Sequence, residues 1–261
     1  METGLRNKVA VVTGASGGIG GATAAALGRE GARVALTYHG NEERARGVAD
    51  AVTAAGGEAI TVRLALEDRD SIDAATGTVV DQWGGIDALI AGAVEWPTAG
   101  ADQGRAERLE LTQWQRGLRT NLEGTIATVN AVLRSMRERP WGRIVLISSG
   151  VASEGLPGPG PYGVAKSALW GFARQLAWDV GRDGILVNVV GTGFTVTERN
   201  LEHFDDELRD EVAAAIPSRR LSTPAEVANL IVFLASGANG NITGEEVLEG
   251  SSTGRSGAHF T

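Results

Sequence analysis

The sequence contains no cysteine, so disulfides and thiolate–metal sites are excluded. Histidine is scarce, and His39, His203 and His259 are too scattered to form a metal-ligand constellation. No metal is expected. No apolar run approaches the roughly 20 residues that span a bilayer. Residues 1–8 lack the apolar core of a signal peptide and run straight into a strand. The expectation is a soluble, cytoplasmic protein with no membrane partner. Positive charge is in deficit, with Lys+Arg 24 against Asp+Glu 32 and a formal net charge of −8, which argues against nucleic acid as a partner. Within that small basic complement, Lys8 and Lys166 are the only lysines; the rest is arginine.

What is present suits one domain spanning residues 1–261: 261 residues, 43% of them hydrophobic, are enough for a sizeable core. Strands are predicted over Val9–Val12, Arg33–Tyr38, Ala59–Leu66, Asp87–Ala91, Gly142–Ser148, Ile185–Val190 and Glu245–Glu249. Helices are predicted over Ala22–Arg29, Glu42–Ala55, Ser71–Trp83, Leu111–Val132 and Pro224–Ala235. A further helix starts at Tyr162, and one helical piece lies around Asp205–Ala215. This piece belongs to a mobile, mostly polar insertion, about 191–220, suited to act as a substrate lid. Strict strand–helix alternation without a linker or repeat reads as an α/β fold, a Rossmann-type doubly wound parallel sheet with helices on both faces.

The first strand runs into Thr13-Gly14-Ala15-Ser16-Gly17-Gly18-Ile19-Gly20 and then a helix, the opening of a dinucleotide-binding unit. Gly14 suits the tight turn, Gly18 lets backbone approach a pyrophosphate, and Gly20 lets helix pack on strand. Free N–H groups at the helix start favour phosphate.

Tyr162 and Lys166 lie four apart on one helix face, so phenol and ammonium can reach one site. A free tyrosine, with a pKa of about 10, is a poor acid near neutrality. A nearby cation lowers that value and makes it a general acid–base. A Tyr-x-x-x-Lys pair also arises as a surface ion pair or a core tyrosine, but a rare lysine at this position suits a compact, tunable ammonium. Ser149 follows the buried run 144–147, at the carboxyl edge where open α/β sheets bind ligands.

With these motifs in this order, the chain resembles the short-chain dehydrogenase/reductase family over essentially its whole length. Thr13-Gly14-x-x-x-Gly18-x-Gly20 matches the family's cofactor motif, Asn121, Ser149, Tyr162 and Lys166 match its catalytic tetrad, and Asn188 matches the asparagine of its sixth strand. The resemblance implies that Tyr162 protonates the alkoxide and Ser149 holds the carbonyl oxygen. It further implies that Lys166 lowers the tyrosine's pKa and binds the nicotinamide ribose, and that Asn121 holds a water in a proton relay. The alternative for Asn121 is a helix-kinking residue that satisfies backbone groups, and the other three tetrad residues favour the relay. Within the family, the chain looks like reductases related to 3-oxoacyl-carrier-protein reductase and, more narrowly, ketoreductases that tailor aromatic polyketides such as angucyclines. Relatives also pair through the Tyr162 and Pro224 helices, implying a homotetramer or dimer.

Some residues depart from the family pattern. Ala91-Gly92-Ala93-Val94 replaces Asn-Asn-Ala-Gly after the fourth strand, Ala65 replaces the adenine-gripping Asp before Leu66, and Thr192-Gly193 replaces Pro-Gly. Adenine is then left to Leu66 and to Glu67 or Asp68. Thr192 either influences substrate pose or is an ordinary loop threonine. The second strand ends in Thr37-Tyr38-His39-Gly40-Asn41 with no carboxylate before Glu42. A 2′-phosphate therefore meets no repulsion, and Tyr38, His39 and Asn41 offer it partners, so NADP(H) is expected over NAD(H). The arginine frequent in the glycine turn is absent, with Gly17 in its place. The remaining cofactor contacts are expected from Ser16, Ile19, Ala91, Gly92, Gly193, Thr195 and Thr197.

Pocket walls are expected from residues 94–97, 151–161 and 194–219. Trp96, Val151, Leu156 and Phe194 suggest an apolar, aromatic ketone, although each could equally fill core. Arg105, Arg108 and Arg199 keep a carrier-protein substrate open. Three readings follow: an NADPH-dependent ketoreductase for a polycyclic polyketide; a 3-oxoacyl-thioester reductase or other alcohol dehydrogenase; and a non-catalytic nucleotide-binding scaffold, against which the intact tetrad argues.

Overall fold

Buried on both faces, the central strands of this chain read as largely apolar runs, as parallel strands covered by helices do. The computed structural model describes residues 2–96, 106–155 and 160–250. Its strands are β1 (Val9–Thr13), β2 (Arg33–Tyr38), β3 (Glu58–Arg63), β4 (Ala88–Ala91), β5 (Gly142–Ser149), β6 (Ile185–Thr192) and β7 (Glu246–Glu249). They form one seven-stranded, all-parallel sheet in the order β3-β2-β1-β4-β5-β6-β7. The order reverses direction between β1 and β4, which is where such sheets bind ligands.

Alternate residues of each strand feed two cores. Val9, Val11, Leu89, Ile144 and Leu146 face α3 (Arg69–Trp83), α5 (Gly124–Met136) and α7 (Gly160–Val180). Ala10, Val12, Ile90, Val145 and Ile147 face α1 (Gly18–Arg29), α2 (Glu42–Ala54) and α10 (Pro224–Leu234). The doubly wound architecture expected from the sequence is the one observed. No helix among the described residues is long and apolar enough to cross a membrane.

Three segments differ from expectation. β3 stops at Arg63 rather than running to Leu66, because Asp68 caps α3 and Ser71 Oγ accepts the N–H of Ala65, turning the chain off the sheet. The single helix expected over Leu111–Val132 is α4 (Leu111–Leu118), a π-helical turn Arg119–Glu123 and α5. The insertion after β6 holds two helices, α8 (Glu198–His203) and α9 (Asp206–Ala215), each opened by a side-chain cap from Thr197 or Asp205. A four-residue helix, α6 (Val151–Glu154), follows β5.

Candidate active site

The ends of β1 and β4 are tied together by one hydroxyl: Thr13 Oγ1 accepts the N–H groups of Gly92 and Ala93, both at 3.0 Å. Gly14 leaves the strand at φ 71°, and a Cβ there would lie 2.9 Å from Ala93 Cα. A Cβ on Gly20 would overlap the carbonyl oxygen of Gly14, so the turn and helix meet only through glycine. Gly17, at the N-cap of α1, provides no side-chain cap, and the first turn holds no acidic residue. The helix start, with Ser16, Gly18 and Ile19, therefore lines the cavity with its amide groups available to phosphate. This cradle fits a dinucleotide.

β5 ends in the buried pair Ser148 and Ser149. Ser148 Oγ donates to the Lys166 carbonyl at 3.0 Å, fixing α7 against the strand end. Tyr162 and Lys166 are buried on the same face of α7, with Lys166 Nζ 5.8 Å from the phenol centroid. The ammonium donates to the Ile147 carbonyl at 2.7 Å, and burial pulls it down to about 8. Tyr162 departs from expectation: burial pushes its hydroxyl up, while hydrogen bonding with Ser149 and the charge of Arg199 pull the other way.

Asn121 sits in the π-helical turn and spends its amide on Glu95: Oδ1 accepts the Glu95 N–H at 2.8 Å and Nδ2 donates to its carbonyl at 2.9 Å. These bonds satisfy the backbone of Glu95 and fix the segment leading to Trp96. Asn188 similarly bonds Ile242 and Glu245, holding the approach to β7.

Two cavities, about 960 and 840 Å³, share Gly14, Ser16, Val94 and Trp96 and form one cleft along the carboxyl edge of the sheet. The larger takes in Tyr38, His39, Leu66 and Glu67. The other takes in Gly92, Ser149, Val151, Tyr162, Lys166, Thr192, Gly193, Phe194, Thr195 and Thr197. Asn41 and Ala91 line neither cavity. Asn41 accepts the Arg44 N–H as the cap of α2, and Ala91 is buried at the end of β4. Asp68 is committed to capping α3, leaving Glu67 beside His39, Oε1 to Nε2 at 3.5 Å. Thr192 lines the cavity while its hydroxyl donates to the Ser148 carbonyl. Trp96 stacks on Tyr162 with centroids 5.1 Å apart, and Phe194 meets Phe204 edge to face. Leu156 and Arg105 lie outside the described residues.

Among the described residues Arg44, Arg116, Arg119 and Arg199 line the cleft, and of these the sequence pointed only to Arg199. Arg44, in the first turn of α2, reaches back to the glycine turn, where its Nη2 lies 2.9 Å from the position of a Cβ on Gly17. It also pairs with Glu198 of α8 at 2.5 Å. A cation in a helix's first turn opposes the helix dipole, and that was the available signal. Arg199 lies over Trp96, its guanidinium carbon 4.3 Å from the ring centroid.

A model of the family described as enoyl-(acyl carrier protein) reductase matches residues 14–249. A 3-oxoacyl-[acyl-carrier-protein] reductase of Aquifex aeolicus is 35% identical over 249 residues, 95% of this chain and 97% of that one. The short-chain reductase protein NovJ of Streptomyces niveus is 36% identical over 252 residues, 93% of this chain and 92% of that one. Among solved structures, a short-chain dehydrogenase/reductase from Serratia marcescens superposes with a TM-score of 0.87 at 32% identity, covering 96% of this chain and 99% of that one.

Proposed function

The chain belongs to the short-chain dehydrogenase/reductase family, an oxidoreductase family that binds a nicotinamide cofactor, and on that premise we propose that it is an NADPH-dependent ketoreductase. The observation that carries this reading is the convergence of Ser149, Tyr162 and Lys166 on one cavity with the glycine turn. Gly14, Ser16, Gly18, Ile19 and Gly20 would hold the pyrophosphate, Leu66 and Glu67 would border the adenine, and Lys166 would reach the nicotinamide ribose. The bound nicotinamide supplies the hydride. Ser149 Oγ donates a hydrogen bond to the substrate's carbonyl oxygen and orients it. Tyr162 gives its phenolic proton to that oxygen as the carbon is reduced, which completes a secondary alcohol. The charged Lys166 ammonium offsets the resulting phenolate, which regains its proton from solvent, with Asn121 in the relay. Trp96, Phe194 and Phe204 would wall the substrate side of the cleft.

The preference for NADP(H) is supported by the absence of a carboxylate at the end of β2 and by Arg44 beside Gly17, where relatives of this type carry an arginine in the turn itself. Tyr38 and His39 line the same end of the cleft, Tyr38 bonded to Glu42 and His39 beside Glu67. A homo-oligomer, dimer or tetramer, is supported by Val164, Trp170 and Trp178 exposed along α7.

The substrate we propose is a polycyclic aromatic ketone of the angucycline type, handled in antibiotic biosynthesis. The apolar, aromatic walls of the cavity support it. A second reading, reduction of a 3-oxoacyl thioester, is favoured by the identity to the Aquifex aeolicus reductase. NADPH oxidation with a panel of bicyclic to tetracyclic aromatic ketones beside acetoacetyl-coenzyme A separates them. Faster turnover of the aromatic ketones supports the first reading, faster turnover of the thioester supports the second, and oxidation with none refutes both.

A further inference from the structure

The substrate half of the cleft is walled by Val151, Phe194, Phe204, Leu208, Val212 and Ile216. Into this chamber α8 projects the cation Arg199 together with the carboxylates Glu198 and Glu202, and Glu154 of α6 lines it as well. Glu198 is taken by Arg44, and among the described residues no ion pair joins Arg199 to Glu202 or Glu154. Instead its guanidinium covers the face of Trp96, and Trp96 in turn stacks on Tyr162, an angle of 25° between the rings. Guanidinium and phenol thus both lie against Trp96, which joins a cation to the proton donor.

A cation stacked on an aromatic face keeps its in-plane N–H groups free for an oxyanion. Those groups suit the bidentate geometry of a carboxylate and match an ionised phenol or enol less fully. With the guanidinium carbon 4.3 Å and the phenol 5.1 Å from the Trp96 ring centre, a ketone whose carbonyl meets Tyr162 can present a group on its far ring to Arg199. Part of the Arg199 charge is desolvated by the chamber wall, which pulls its guanidinium down from its ordinary value.

The geometry points to Arg199 and Trp96 as a specificity clamp for an anionic aromatic ketone, the guanidinium pairing with an oxyanion on the ring system distal to the reacting carbonyl. This rests on the ketoreductase reading and narrows it to a substrate class. Arg199 acts on substrate choice through binding and takes no part in proton transfer.

The test uses 1-tetralone and 1-tetralone-6-carboxylate with NADPH at pH 7.5, for the wild-type protein, Arg199→Gln and Arg199→Lys. The readout is the ratio of kcat/KM for the carboxylate over that for the neutral ketone. The wild type should prefer the carboxylate. Arg199→Gln should reduce that preference at least tenfold, chiefly through KM, and Arg199→Lys should restore part of it. An unchanged ratio in Arg199→Gln, or a wild-type preference for the neutral ketone, overturns the proposal. Equilibrium dialysis of both compounds against the NADPH-loaded protein separates the two levels. If neither ketone is reduced but the carboxylate binds and Arg199→Gln abolishes binding, the clamp stands and the ketoreductase reading falls. If the carboxylate binds the wild type and Arg199→Gln equally, or binds neither, the clamp falls.

Discussion

Lys166 points its ammonium at the main-chain carbonyl of Ile147, 2.7 Å away, from a position almost wholly removed from water. That geometry is costly. Moving the group from 10.5 to about 8 corresponds to roughly 3 kcal/mol between its charged and neutral forms. The folded value lies below the unfolded one, so the cost is full below about pH 8 and is relieved as pH rises towards 10.5. We therefore expect Lys166→Met to abolish ketone reduction while leaving the melting temperature at pH 7 equal to or above that of the wild type. Loss of activity accompanied by a drop of several degrees would mean that the lysine is a structural strut.

The same group sets a pH dependence for catalysis. Tyr162 keeps its proton across the neutral range because burial pushes it up, while Lys166 loses its charge near pH 8. The reductive kcat/KM should hold steady from pH 6 to 7.5 and decline above about pH 8. A profile flat to pH 10 would show that the ammonium charge is dispensable.

Arg44 gives cofactor choice a handle. A charge-assisted bond to a 2′-phosphate contributes about 1.5–3 kcal/mol, so Arg44→Ala should weaken NADPH binding about 10- to 100-fold and change NADH binding little. Fluorescence titration of both cofactors checks this; equal losses for both would remove Arg44 from the phosphate site.

Two glycines should respond in opposite directions to the same methyl group. Gly20→Ala drives a Cβ into the Gly14 carbonyl, and backbone must shift, at a cost of about 1–3 kcal/mol. Gly47, exposed inside α2, has no atom within 4 Å of an added Cβ, so Gly47→Ala should stabilise by about 0.5–1 kcal/mol. Denaturant melts of the two variants supply the comparison.

The strands and their order of appearance were legible because parallel strands buried on both sides must be apolar throughout, and Val9–Thr13 or Ile185–Thr192 admit little else. The glycine turn was legible because its close approaches exclude side chains. The break at Arg119–Glu123 was not, since it accompanies a bond between Asn121 and Glu95, 26 residues apart, that no local pattern encodes. What Arg44 and Arg199 touch was hidden for a related reason. A long side chain acts where its tip lands, and the tips land on Gly17 and Trp96, on other elements. The tyrosine's environment also had to be seen in three dimensions, because burial outweighs the nearby charges.

The proton donor itself is the claim on which the rest depends, and single-turnover reduction by Tyr162→Phe preloaded with NADPH tests it most directly. We expect the variant to bind NADPH as the wild type does and to reduce ketone about 10²–10⁴-fold more slowly. Reduction at the wild-type rate would contradict the account.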